Sequence, residues 1–110
     1  MKIPSKIPEN GFYYHYKHDP NSTVNNYAYE FIGVGCHTEE DCRKEDSNMA
    51  VYRPLYESSA YNAGKFFDLR PLSMWMGDVT KDGKTFPRFS KITEINTITE
   101  LTKVKDMMYP

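Results

Sequence analysis

No apolar run in this 110-residue sequence goes far before a turn-forming cluster ends it. Phe12-Tyr13-Tyr14-His15-Tyr16-Lys17 is stopped by His18-Asp19-Pro20-Asn21-Ser22, and polar residues continue to Asn26. Tyr27-Ala28-Tyr29-Glu30-Phe31-Ile32-Gly33-Val34-Gly35 alternates aromatic and apolar positions with others, and its two glycines mark a bend or bulge. Short aromatic and β-branched segments of period two, bounded by Pro, Asn, Asp and Gly, read as strands. Val51-Tyr52-Arg53-Pro54-Leu55-Tyr56 resumes that character, with Pro54, which cannot donate to a ladder, predicting an edge or a bulge. Residues 66–76 read as a strand running into a turn at Arg70-Pro71, and Asp82-Gly83-Lys84 is a tight hairpin signal before Thr85-Phe86-Pro87-Arg88-Phe89. About five short strands with no clear helix between them predict a mainly β fold, closed into a small barrel that leaves no exposed edge.

One core is expected, because two halves of a 110-residue chain would each bury too little apolar surface. Residues 1–10, with Pro4 and Pro8, read as an extended arm, residues 11–92 as the barrel domain and residues 93–110 as a tail. Ile92, Ile95, Ile98, Leu101 and Val104 recur every third residue, and Thr97-Ile98-Thr99-Glu100 matches a capping box, so a short C-terminal helix over about residues 98–107 is predicted, with a strand as the alternative that the threonines also suit. The polar stretches 38–48 and 57–64 read as loops. The first residues hold no continuous apolar run, so no signal peptide is read there, and no segment has membrane-spanning length. The expected location is cytoplasmic. Cys36 and Cys42 are too few for a disulfide framework and are expected as thiols.

Five stretches together resemble one known family: Val51-Tyr52-Arg53-x-Leu55-Tyr56, Arg70-Pro71-Leu72-x-Met74-Trp75, Asp82-Gly83-Lys84-x-x-Pro87-Arg88-Phe89, His15-Tyr16-Lys17 and Gly33-Val34-x-x-His37-Thr38-Glu39. In order and spacing they resemble the bacterial and phage family catalogued as domain of unknown function 1653, from Tyr13 to about Ile92. The resemblance implies an SH3-like barrel with no assigned activity. This sequence differs in having longer loops at 18–26, 40–48 and 57–65, and in placing Asp68 where the family usually has an aromatic residue. Long loops are where a separate function is acquired.

His15, His18 and His37, with Cys36 and Cys42, are zinc-compatible donors, but there is no C-x-x-C and no i, i+4 histidine pair, so no metal or cofactor is expected. Adjacent strand residues point to opposite faces, so Cys36 and His37 do not pair as nucleophile and base, and no catalytic residue is assigned. The arginines are more informative. Arg53, Arg70 and Arg88 each stand beside a proline and near aromatic rings. A guanidinium grips a phosphate or carboxylate through two parallel hydrogen bonds while rings stack a base. Arg53, Arg70, Arg88, Tyr52, Tyr56, Trp75, His15 and His37 are therefore the predicted ligand-binding set, for a small anionic or nucleotide-like molecule held without catalysis. The structural alternative pairs the arginines with Asp68, Asp78 or Glu57 along a barrel rim.

A second reading is a protein–protein interaction or adaptor module, homo-oligomeric or bound to a protein partner through Tyr-rich strands and the Ile/Leu tail. The third and weakest is a nucleic-acid-binding barrel. Fourteen Lys and Arg against fifteen Asp and Glu leave a net charge of −1, which gives no global field for a polyanion. Tyr13, Tyr14, Tyr16, Tyr27 and Tyr29 are stacking-competent, but no Lys or Arg stands between His18 and Cys42, so nucleic acid is not an expected partner.

Overall fold

A computed structural model describes residues 7–39 and 47–110. In chain order the elements are β1 (Gly11–His15), β2 (Ala28–Cys36), β3 (Asn48–Pro54), the short helix α1 (Ser59–Gly64), β4 (Asp68–Pro71), the single turn α2 (Leu72–Trp75), β5 (Asp78–Lys81), β6 (Lys84–Pro87), β7 (Phe89–Lys91) and α3 (Ile95–Met108). The main sheet has the order β4-β3-β2-β1-β7, antiparallel throughout, and β5 and β6 form a separate hairpin. The mainly β expectation therefore holds, with seven strands in place of about five. Barrel closure is not observed: among the described residues β4 and β7 are open edges with no pairing between them.

Alternation along the pleat sends successive side chains to opposite faces, and both faces are apolar enough to need a cover. One face carries Tyr13, Tyr29, Phe31, Ala50, Tyr52 and Phe89, over which α2 lays Leu72 and Trp75. The other carries Phe12, Ala28, Leu55 and Ile92, and α3 seals it with Leu101, flanked by Ile98, Val104 and Tyr109. The tail's apolar stripe, Ile95 excepted, is thus spent inside the molecule. Its helix starts earlier than the capping-box pattern suggests: Glu94, not Thr97, is the N-cap, accepting from the N–H groups of Asn96 and Thr97 at 3.0 and 2.7 Å. A carboxylate satisfies two otherwise orphaned donors there and opposes the helix dipole favourably.

Three other expectations are corrected. The stretch 57–64 is not all loop, because the Ser58 hydroxyl caps α1 by accepting from the Tyr61 N–H and Lys65 ends it in the left-handed region at φ 59°. Pro54 sits at the end of an internal strand instead of on an edge. Leu55 donates its N–H to Ala28 on β2, so the nitrogen of Pro54 faces the β4 side, and β4 reaches only as far as Tyr52. No ladder donor is missed. Cys36 is disulfide-bonded, not a thiol, while Cys42 lies outside the described residues, as do residues 1–6 of the expected arm and most of the polar loop before Ser47. The expected bulge does occur, where the β2–β3 register shifts between Phe31 and Gly33.

Leu101 is fully buried and is the residue through which α3 grips the sheet. Leu101→Ala is expected to lower unfolding free energy by about 2–5 kcal/mol in a urea titration. Ile95→Ala, on a side chain 73% exposed at the start of the same helix, should move it by less than about 0.5 kcal/mol. Equal losses would contradict the assigned packing face.

Candidate ligand-binding site

Strand register brings polar and aromatic groups together at one margin of the α2-covered face. His15 lies opposite Phe89, Tyr13 opposite Tyr29, Tyr52 opposite both Phe31 and Asp68, and Arg70 opposite Ala50. The pleat keeps all of them on one side of the sheet. The Tyr29 and Tyr56 hydroxyls share a short hydrogen bond. Arg70 Nε donates to the Tyr52 hydroxyl at 3.4 Å, and its guanidinium carbon stands 5.9 Å from the Phe89 ring centroid. The His15 ring meets Phe89 edge-on at 5.1 Å and stacks with Tyr27 at 5.7 Å.

Arg88 is held by its backbone, which donates to the Gly77 carbonyl and accepts from the Tyr16 N–H. Its Nε is buried without a hydrogen-bond partner. Tyr27, the turn residue just before β2, adopts φ 50°. A bulky residue in the left-handed region costs about 1–2 kcal/mol, strain that the surrounding structure must hold in place.

Electrostatics separates the groups by charge state. Burial lowers the His15 imidazole to a pKa of about 4, and the positive charges of Arg70, Lys17 and Arg88 reinforce the shift. The Asp68 carboxyl is pushed upward by burial, with Arg70 pulling against it. Burial also raises the phenols of Tyr29 and Tyr56. Near neutral pH the site therefore presents guanidinium charge, with the Asp68 carboxyl beside it, and a neutral imidazole and neutral hydroxyls around aromatic rings. That combination suits an anion joined to a flat ring.

The predicted set is only partly gathered. His15, Tyr52, Tyr56, Arg70 and Arg88 belong to this neighbourhood, but Trp75 is 2% exposed and stacks on Phe89 beneath it, a core residue and not a contact surface. Arg53 is on the opposite face: Nε donates to Glu30 at 2.7 Å and its guanidinium lies 4.0 Å from the Tyr109 ring centroid, with Lys105 3.6 Å from the other Glu30 oxygen. One step along β3 separates it from Tyr52, and one step reverses the face. His37 is exposed beyond the end of β2 remote from His15, its N–H bonded to the Ser47 carbonyl. The three arginines thus do not converge as a triad.

Asp68, Tyr27 and Tyr29 belong to the site and were not assigned to it from sequence. The separation of Asp68 from Arg70 by one residue is the signal that places both on one face. Among the described residues no group of three or more His, Cys, Asp or Glu side chains is gathered as metal ligands would be.

The His15 shift has a defined sign. Its folded pKa of about 4 lies below the ordinary value near 6.5, so the unfolded chain takes up the proton first. Stability linked to His15 is intact above about pH 6.5 and is lost as pH falls from there to about 4. Asp68, raised in the folded state, contributes with the opposite sign. His15→Asn should therefore lose less stability than the parent between pH 7 and 4.5 in urea titrations. An unchanged pH slope would contradict the burial assigned to the imidazole.

Comparison with curated proteins and with solved structures returned no match. The family described as protein of unknown function (DUF1653) matches residues 11–91. That span contains all seven strands and every residue of the candidate site, with α3 outside it. The chain belongs to the DUF1653 family.

Proposed function

We propose that the domain is a non-enzymatic binding module for a small anionic or nucleotide-like ligand, held by Arg70 and Arg88 against the rings of His15, Tyr27 and Tyr56. The observation that carries the reading is the buried, unpartnered Nε of Arg88. An unsatisfied buried donor costs about 1–3 kcal/mol, which a ligand acceptor offsets. Three further features support it: Arg70 has no carboxylate in salt-bridge contact among the described residues, His15 is held neutral, and Tyr27 retains a strained backbone. The accompanying fold reading is a rolled, SH3-like sheet. Its support is the return of β7 to pair with β1, the step that curls a meander toward a barrel.

A second reading has its own observation. Phe66, Phe67, Leu69, Met74 and Met76 are all more than 40% exposed and crowd the segment around the edge strand β4. Exposed apolar groups beside an unpaired edge favour a protein partner or a second copy of the chain. The tail is not that surface, since its stripe packs on the sheet. Among the described residues no helix is long and apolar enough to cross a membrane. The disulfide at Cys36 fits an oxidising compartment better than a reducing cytosol.

Thermal-shift measurement against a panel of mononucleotides and cyclic nucleotides tests the leading reading. A ligand at 100 times its Kd adds about 2.7 kcal/mol of stability. Arg70→Ala should abolish the shift. Arg53→Ala should preserve it while lowering basal stability by about 1.5–3 kcal/mol, the usual worth of a charged hydrogen bond. No shift with any member of the panel would sink the reading.

A further inference from the structure

We propose that the cleft between the end of β1 and the β5–β6 hairpin is a separate polyphosphate site, taking a chain of two or three condensed phosphate groups. The cleft has a volume of about 490 Å³ and is lined by Tyr16, Lys17, Lys81, Asp82, Lys84 and Phe86. It shares no side chain with the arginine site. Three lysines against one aspartate give it a local charge of +2, in a chain whose net charge is −1.

The hairpin accounts for this concentration of charge. Asp82 and Gly83 have φ of 53° and 77°, the pair of positive values that a two-residue type I′ turn requires. So tight a turn sets Lys81 directly opposite Lys84 in the ladder. Like charges facing one another across two strands are destabilising, and Lys17 is brought to the same cleft from β1's end. Among the described residues none of the three has a carboxylate within salt-bridge distance, leaving Asp82 in the cleft wall as partial compensation. A bound anion removes the repulsion. The Tyr16 and Phe86 rings, with centroids 5.6 Å apart, supply a wall less polarisable than water, beside which charge attraction is stronger than in bulk solvent.

The shape and charge favour a short polyphosphate over one phosphate or a nucleic-acid strand. Separate ammonium groups act as point charges and suit successive phosphates, where a single phosphate is better served by a guanidinium fork. The volume falls within the range of small-molecule pockets. A strand would need a basic track continuing beyond the cleft, and the adjoining segment from His18 to Glu39 carries no Lys or Arg.

Titration calorimetry with sodium tripolyphosphate at low salt is the test. Binding is expected, weakening with added salt, and Lys17→Gln, Lys81→Gln and Lys84→Gln should each weaken it about two- to five-fold. Lys103→Gln, a surface change on α3, should leave it unchanged, with circular dichroism verifying the fold of each variant. Loss of tripolyphosphate binding in Arg70→Ala would assign the anion to the arginine site and overturn the proposal. So would an equal loss in Lys103→Gln, the absence of binding, or binding of decathymidylate without binding of tripolyphosphate.

Discussion

Trp75 stacks on Phe89 with centroids 3.7 Å apart and planes within 12°, and it also meets Tyr52 at 4.6 Å, Phe31 at 5.3 Å and Tyr13 at 5.4 Å. Those four partners come from β7, β3, β2 and β1, so one indole joins four strands of the main sheet. Each such aromatic pair contributes about 0.5–1.5 kcal/mol beyond the area it buries. The dependence runs outward from there. Phe89 is fixed by the stack, and its ring then meets His15 edge-on and lies near the Arg70 guanidinium. The polar margin is therefore built on a packed aromatic floor, which fixes the side chains that stand on it.

The opposite face is organised by charge as well as by packing. Glu30 and Arg53 are register partners on β2 and β3, and Tyr109 and Lys105 of the C-terminal segment close over them. Tyr109 also donates its hydroxyl to the Pro54 carbonyl at 2.6 Å. The helix is thereby tied down at its far end while Leu101 and Ile98 fill the apolar middle. A carboxylate flanked by two cations, all partly shielded from water, sets the position of the helix more firmly than an exposed pair would.

The aromatic segments were legible as strands because period two is a local property, and the Asp82-Gly83 turn was legible because positive φ at two successive residues restricts which residues can occupy it. The tail helix was legible from its apolar spacing, although its start was not, since the local pattern points to a cap at Thr97 and the Glu94 carboxylate takes that role one turn earlier. For the candidate site, His15, Arg70 and Arg88 stood out by chemistry. Arg53 stood out equally, with the same proline and the same neighbouring rings, and it went to the other face. Composition around a residue does not reveal parity relative to a buried partner. Lys81 and Lys84 were visible beside the turn but drew no attention, because each is ordinary alone and only cross-strand register puts them face to face.

Strand character, the hairpin, a C-terminal helix and membership of the family are determined by the sequence alone, because each depends on residues close together or on a linear order of motifs. Tertiary structure decided which arginine anchors a helix and which stands at the polar margin of the α2-covered face, that β4 and β7 are unpaired edges among the described residues, and that α3 packs on the sheet. Those outcomes depend on contacts between residues 23 to 55 positions apart, such as Glu30 with Arg53 and Pro54 with Tyr109. Long-range pairing is set by the competition of whole faces for burial, which no local pattern encodes.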